Sequence, residues 1–264
     1  MQRRQFLAAS LAAGAMGMVR DAAGQTAAKG GREYYQIRKY GYVSGPQTGL
    51  AQSYFKDALI PALTKLGMGP VGVFSPDFGP ETPTHYVLIP GSSAEALVEV
   101  DLHLAEDAEF LKAAEPFWSA PAVAPSFGRV EYTLLKAFEG YPKLTLPSMS
   151  ATKAKRIFQM RTYESPSYRD HVRKVEMFNA GEFDIFKTAG FESVFYGDTL
   201  IGSRMPSLTY MLALNNLEEL NGKWDKFRDA PAWKKLSGEQ KYSFEAIVSN
   251  ITNLVLTPLG CSQI

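Results

Sequence analysis

The segment Tyr35-Gln36-Ile37-Arg38-Lys39-Tyr40 returns 123 positions later as Phe158-Gln159-Met160-Arg161-Thr162-Tyr163, so the chain reads as one unit written twice. At the same offset Gly67 meets Gly190. Close to that offset, Thr84-His85-Tyr86-Val87-Leu88 lines up with Leu208-Thr209-Tyr210-Met211-Leu212, and Asp107-Ala108 with Asp229-Ala230. Copies of about 105 residues are too long for solenoid repeats and have the size of a duplicated domain.

Each copy predicts the same order of elements. A strand with alternating polar and apolar residues opens it (33–42; 156–163). A helix follows (48–66; 167–189) and stops at Gly67 or Gly190, the residue type that ends helices in the left-handed conformation. Two strands come next (71–75 and 85–90; 193–201 and 208–214), then a second helical stretch (93–100 with 108–117; 217–228 with an extension past Pro231) and a closing strand (129–138; 246–256). Strand, helix, strand, strand, helix, strand is the ferredoxin-like order, a sheet covered by helices on one face. The bare faces of two such sheets are buried most simply against each other. The expected fold class is therefore α+β: two tandem ferredoxin-like domains, 29–143 and 155–264, closing a pseudo-dimeric α+β barrel within one chain. Residues 144–154, with Pro147 and several Ser and Thr, read as the linker.

Residues 1–28 stand apart. Arg3-Arg4-Gln5-Phe6-Leu7 heads an apolar run to Val19, too short for a bilayer span of about 20 residues. The basic head, short apolar core and small residues Ala22-Ala23-Gly24 read as a cleavable export signal, and the arginine pair as its twin-arginine type. The expected location is the periplasm or the exterior, with no membrane span in the mature chain. Without Arg3, Arg4, Arg20 and Asp21, the chain's formal charge of +1 becomes about −1, which offers no electrostatic case for nucleic acid or an anionic membrane. A single cysteine, Cys261, excludes an internal disulfide, so stability must come from packing. With 45% hydrophobic and 12% aromatic residues, a filled core is feasible at this length.

Several segments resemble the NIPSNAP family in a bacterial tandem form with an export signal. They are Arg161-Thr162-Tyr163, His171-Val172-Arg173-Lys174-Val175-Glu176-Met177-Phe178-Asn179, Leu208-Thr209-Tyr210-Met211-Leu212, Trp224 with Trp233, and Val248-Ser249-Asn250-Ile251. The resemblance is specific over 156–264; over 33–140 it rests mainly on the opening strand and Gly67. It implies membership of the broader dimeric α+β barrel group, which also holds small monooxygenases, haem-degrading enzymes and chlorite dismutase-like proteins. It supplies no catalytic residue set, and the membrane-traffic association of eukaryotic members does not transfer to an exported chain.

Two sets of residues are candidates for a ligand site. Period-two alternation puts Gln36, Arg38 and Tyr40 on one face of the first strand and Gln159, Arg161 and Tyr163 on its counterpart. If Tyr35, Ile37, Phe158 and Met160 face the helices, these polar sets point into the barrel, where the arginines could hold an anionic group. Alternatively they pair with Glu131, Glu33 or each other and only satisfy the interior. The second set lies on the helix 167–189, whose wheel gathers Tyr168, Val172, Val175, Phe178 and Phe186 with His171, Asn179 and Glu182. The first copy has Thr48, Lys56 and Leu59 at those last three places, so the trio is either a ligand site or a local network tying helix to strand. In such a network His171 would meet a backbone group, or Glu182 through a shared water or ligand, since three turns are too far for direct contact. The three histidines show no metal-ligand spacing, so no metal site is expected.

The reading that results is an exported small-molecule-binding protein. An oxygenase-like enzyme of the barrel group, with His171 as acid/base or axial ligand, is the alternative, and a non-catalytic partner-binding module is a third. Cofactor, substrate and reaction are left open, as is assembly into a homo-oligomer.

Overall fold

The computed structural model describes residues 31–79 and 82–264, so the expected export signal over 1–28 lies outside the described residues. The eight strands of the described chain are β1 (Tyr34–Gly41), β2 (Gly72–Pro76), β3 (Thr84–Gly91), β4 (Arg129–Ala137), β5 (Ile157–Glu164), β6 (Glu192–Ile201), β7 (Ser207–Leu214) and β8 (Asn250–Pro258). They form one closed barrel in the order β1-β3-β2-β8-β5-β7-β6-β4, antiparallel at every pairing. Closure leaves no free sheet edge. Two seams join the first four strands to the last four, β2 against β8 and β4 against β6.

Helices cover the outside. In the first half these are α1 (Gly45–Tyr54), α2 (Ile60–Lys65), α3 (Ala94–Val98), α4 (Val100–Leu104) and α5 (Ala108–Trp118). A short α6 (Ser148–Thr152) follows, and then α7 (Tyr168–Met177), α8 (Phe183–Thr188), α9 (Leu217–Asp229), α10 (Pro231–Ser237) and α11 (Phe244–Ile247). The segment read as a linker thus carries α6, and its Met149 packs into the barrel interior. Gly67 and Gly190 end α2 and α8 at φ 71° and 89°. In each case the next amide reaches back five residues, Met68 N to Leu63 O at 2.9 Å and Phe191 N to Phe186 O at 3.0 Å, which closes the helix and satisfies an orphan carbonyl.

Between α1 and α2, and again between α7 and α8, the helix widens into a π turn, Phe55–Leu59 and Phe178–Glu182. One extra residue in a turn rotates everything after it, so an ideal helical wheel loses its phase there. Tyr168 and Val172 are 69% and 64% exposed, and the residues that face the sheet are instead His171, Lys174, Met177, Phe178 and Glu182. The expected apolar stripe is corrected accordingly.

The buried side chains form three clusters. One lies inside the barrel and contains Tyr35, Ile37, Phe158 and Met160. The other two lie between the sheet and its helices, one per half, and contain Tyr40 and Tyr163 respectively. The expectation that the apolar residues of β1 and β5 face the helices is therefore reversed. Alternation fixes which residues share a face but not which face is the interior, and here the apolar set fills the barrel while the polar sets lie beneath the helices.

Candidate functional site

In β1 the register places Arg38 between Val87 of β3 and Tyr132 of β4. Its side chain is 1% exposed and reaches Asp101 on α4, Nη1 to Oδ1 at 2.9 Å, while Nε donates to Gln36 Oε1 at 2.6 Å. Gln36 is held in turn by donating to the Leu97 carbonyl of α3 at 2.7 Å. Tyr132 donates to the other Asp101 oxygen at 2.7 Å, and its ring lies 4.7 Å from the guanidinium carbon. Asp101 is the partner that sequence reasoning missed: Glu131 pairs with Lys39, and Glu33 accepts from the Leu144 amide.

Arg38 lines a cavity of about 350 Å³, within the range of small-ligand pockets. Tyr40, Tyr54, Phe117, Trp118, Phe127 and Tyr132 supply aromatic walls, with Tyr54 and Phe117 stacked at 4.2 Å. Trp118 donates to the Tyr54 hydroxyl at 3.0 Å, which fixes the indole at the end of α5. Burial raises the pKa of Tyr40, Tyr54 and Tyr132, so their hydroxyls stay protonated and able to donate. Burial opposes the Arg38 charge, but its neighbours, the Asp101 carboxylate among them, outweigh it and leave the guanidinium more firmly protonated than usual. Its Nη2 is buried without a hydrogen-bond partner. A buried charge-bearing donor left unmade is costly, which marks this atom as the place where a ligand oxygen would gain most.

At the equivalent place in the second half a tryptophan covers the arginine. Arg161 lies between Tyr210 and Asn253 in the register of β5, and the Trp224 ring of α9 sits 4.5 Å from its guanidinium carbon. Trp224 stands 123 positions after Asp101, so the helix residue that pairs with the arginine in one half caps it in the other. The indole donates to Gln159 Oε1 at 2.7 Å, and Tyr163 and Tyr210 share a hydroxyl hydrogen bond of 2.9 Å.

The structure separates the helix trio. Glu182 is 2% exposed and pairs with Lys174, itself 1% exposed, at 2.8 Å. Burial pushes the Lys174 pKa down and the Glu182 pKa up, and each is opposed by the partner's charge. Lys174 Nζ also lies 4.6 Å from the centre of the Phe178 ring and 5.4 Å from that of Tyr163. His171 turns instead to Asp198 of β6, Nε2 to Oδ1 at 2.6 Å, with Nδ1 buried and unpartnered. Asn179 is exposed and acts as a clamp: its amide donates to the Val175 carbonyl at 2.9 Å and its oxygen accepts from the Gly140 amide at 2.8 Å. His171 and Glu182 make no direct contact, as their three-turn separation implies, and their side chains go to different partners. Among the described residues no group of three or more His, Cys, Asp or Glu side chains could hold a metal ion, and no helix is long and apolar enough to cross a membrane.

Solved structures of similar architecture cover most of the chain. A monooxygenase-like protein from Lactobacillus acidophilus NCFM is 12% identical with a TM-score of 0.56, over 86% of this chain and 94% of that one. One from Fusobacterium nucleatum subsp. nucleatum is 8% identical with a TM-score of 0.56, over 87% and 93%. A chlorite dismutase-like protein is 9% identical with a TM-score of 0.51, over 88% and 96%. At these identities the likeness is one of fold, that of the dimeric α+β barrels. No curated protein matches the chain. Residues 158–263, which carry β5 to β8 and the helices that cover them, match the NIPSNAP family. The second half of the chain is thus similar to NIPSNAP domains.

Proposed function

We infer that the protein binds a small, largely planar molecule with an anionic or carbonyl oxygen, in the cavity between sheet and helices of the first half. The observation that carries this reading is the unpartnered, buried Arg38 Nη2 on the wall of an aromatic-lined cavity. The rings offer apolar area and stacking, while one guanidinium atom supplies the fixed polar contact that orients a ligand. Of the residues chosen from sequence, Arg38 and Tyr40 line this cavity, whereas Arg161 lies under Trp224 and Glu182 is taken up by Lys174.

The test is native mass spectrometry of protein purified from its own host, followed by titration with a fluorescent aromatic carboxylate such as 2-naphthoate. Arg38→Gln should weaken binding roughly 10- to 100-fold, the value of one hydrogen bond to a charged group of about 1.5–3 kcal/mol. His171→Thr, remote from the cavity, should bind as the parent does. Equal affinity in Arg38→Gln would defeat the assignment.

The second reading is an oxygenase-like enzyme, favoured by the names of the barrel neighbours and by a pocket whose tyrosine hydroxyls stay protonated. Oxygen consumption with the bound native ligand separates it from binding alone. The two halves repeat the order strand, helices, two strands, helices, strand, which supports an origin as tandem ferredoxin-like copies. Export by a twin-arginine signal rests on residues 1–28 of the sequence.

A further inference from the structure

The interior of the barrel changes character along its axis. One part is packed with Tyr35, Phe158, Met211 and Leu256 in an apolar core. Elsewhere the inward side chains are hydroxyls: Thr133, Thr162, Thr199, Ser207, Thr209 and Thr252 line a cavity of about 280 Å³ floored by Ile37 and Met160. Small barrels usually fill their interior with branched hydrocarbon side chains, and valine has nearly the shape of threonine. Six hydroxyls where methyl groups would pack are therefore a costly choice unless something bonds to them.

Part of that bonding is internal. Thr162 and Thr209 share a hydrogen bond of 2.8 Å, and Ser207 donates to Thr199 at 3.0 Å. A hydroxyl has one proton and two lone pairs, so each bonded pair still has one proton and three lone pairs to offer. Thr199, Ser207 and Thr209 are nevertheless 5%, 2% and 4% exposed, so their spare capacity is directed at the cavity or at backbone rather than at open solvent.

The charged residues at this end are balanced. Lys39 lies 3.8 Å from Glu131, and Arg204 lies 3.6 Å from Glu164 while donating to Thr252. An anion would have to compete with a carboxylate for either cation. A neutral ligand with many hydroxyls meets no such competitor and matches groups that both donate and accept. Tyr86 adds an aromatic ring to the same wall. At about 30 Å³ per water, the cavity has room for about nine waters, which a ring of about a dozen heavy atoms would displace.

We propose that this end of the barrel is a second binding site, specific for a neutral polyhydroxylated molecule of monosaccharide size. It lies on the opposite face of the sheet from the Arg38 cavity, because Lys39 and Arg38 are neighbours on an alternating strand, and it does not depend on the function assigned there.

The experiment is saturation-transfer NMR on the full chain with D-glucose, D-galactose and D-xylose, with D-gluconate as the charged counterpart. At least one neutral sugar should saturate with a Kd of about 1 mM or tighter, and gluconate should bind more weakly than glucose. Thr162→Val with Thr209→Val should weaken the sugar at least tenfold. Thr133→Val, at a half-buried position, should act in the same direction and serves if the double variant does not fold. Arg38→Gln should leave sugar binding unchanged. The proposal is overturned if none of the neutral sugars saturates, if the valine variants bind as the parent does, or if gluconate binds tighter than glucose.

Discussion

Cutting one side of the Lys174–Glu182 pair should cost more than removing both. The two groups are 1% and 2% exposed and 2.8 Å apart, so Glu182→Leu leaves an ammonium buried with no carboxylate. Breaking a buried pair from one side costs about 3–5 kcal/mol, which at roughly 2–4 °C per kcal/mol is a fall in Tm of about 6–20 °C. Lys174→Met should cost less, because the Glu182 carboxylate still feels the Arg161 charge. The double variant Lys174→Met with Glu182→Leu removes both charges at nearly constant volume. It should lie near the parent or be more stable by about 1–4 kcal/mol. The first half already has Ala51 and Leu59 at these places, both fully buried. The pH dependence has a definite sign. In Glu182→Leu the Lys174 pKa is depressed in the folded state, so the unfolded state binds the extra proton, and the deficit shrinks as pH rises toward the free lysine value. Urea and thermal unfolding of the four proteins, read as a double-mutant cycle, measure the coupling. Additive losses, or a Glu182→Leu variant as stable as the parent, would refute the reasoning.

Other outcomes follow from the same structure. His85 is buried against Tyr42 and Phe55 with its pKa lowered to about 4. It is neutral when folded, so it withholds nothing above pH ~6.5 and costs stability as pH falls from ~6.5 to ~4, by ~3 kcal/mol at the bottom of that window. His85→Phe should flatten that stretch of the pH–stability curve, and an unchanged slope would point to other groups. Because the halves close one barrel, 29–145 and 150–264 expressed separately should self-associate, and sedentation of stable monomers at equilibrium in the ultracentrifuge would contradict this. Under the proposed twin-arginine export, Arg3→Lys with Arg4→Lys should leave the chain in the cytoplasm despite unchanged charge, and cell fractionation that finds the variant exported would count against that route.

The architecture was largely legible because the recurring strand motif and the two helix-ending glycines indicate element order and length. Gly67 and Gly190 take the left-handed conformations that their positions called for. The site was less legible for two physical reasons. Alternation in β1 and β5 is symmetric between faces, so it could not say that Arg38 and Arg161 lie under helices and not inside the barrel. The π turn between Lys174 and the helix end shifts the phase of a single wheel drawn over 167–189, and Lys174, the partner that Glu182 requires, was not among the residues singled out. The repeat did contain a usable signal for Asp101: its offset partner Trp224 was singled out, and comparing the two would have set both helix residues over the two arginines.

Both seams are short, and the β2–β3 ladder beside one of them has only three pairs as well. Regular pairing spans eight positions between β1 and β3, but three between β2 and β8 and four between β4 and β6, where a bulge interrupts the register at Leu134 and Leu135. Pro258 brings no amide hydrogen to its seam, and irregular bonds such as Leu259 N to Val73 O carry part of the connection. Mechanically, the barrel is thinnest at β2, held by three pairs on each side, and along the β4–β6 seam. Amides at those joints should exchange with deuterium ahead of those in β1 and β5.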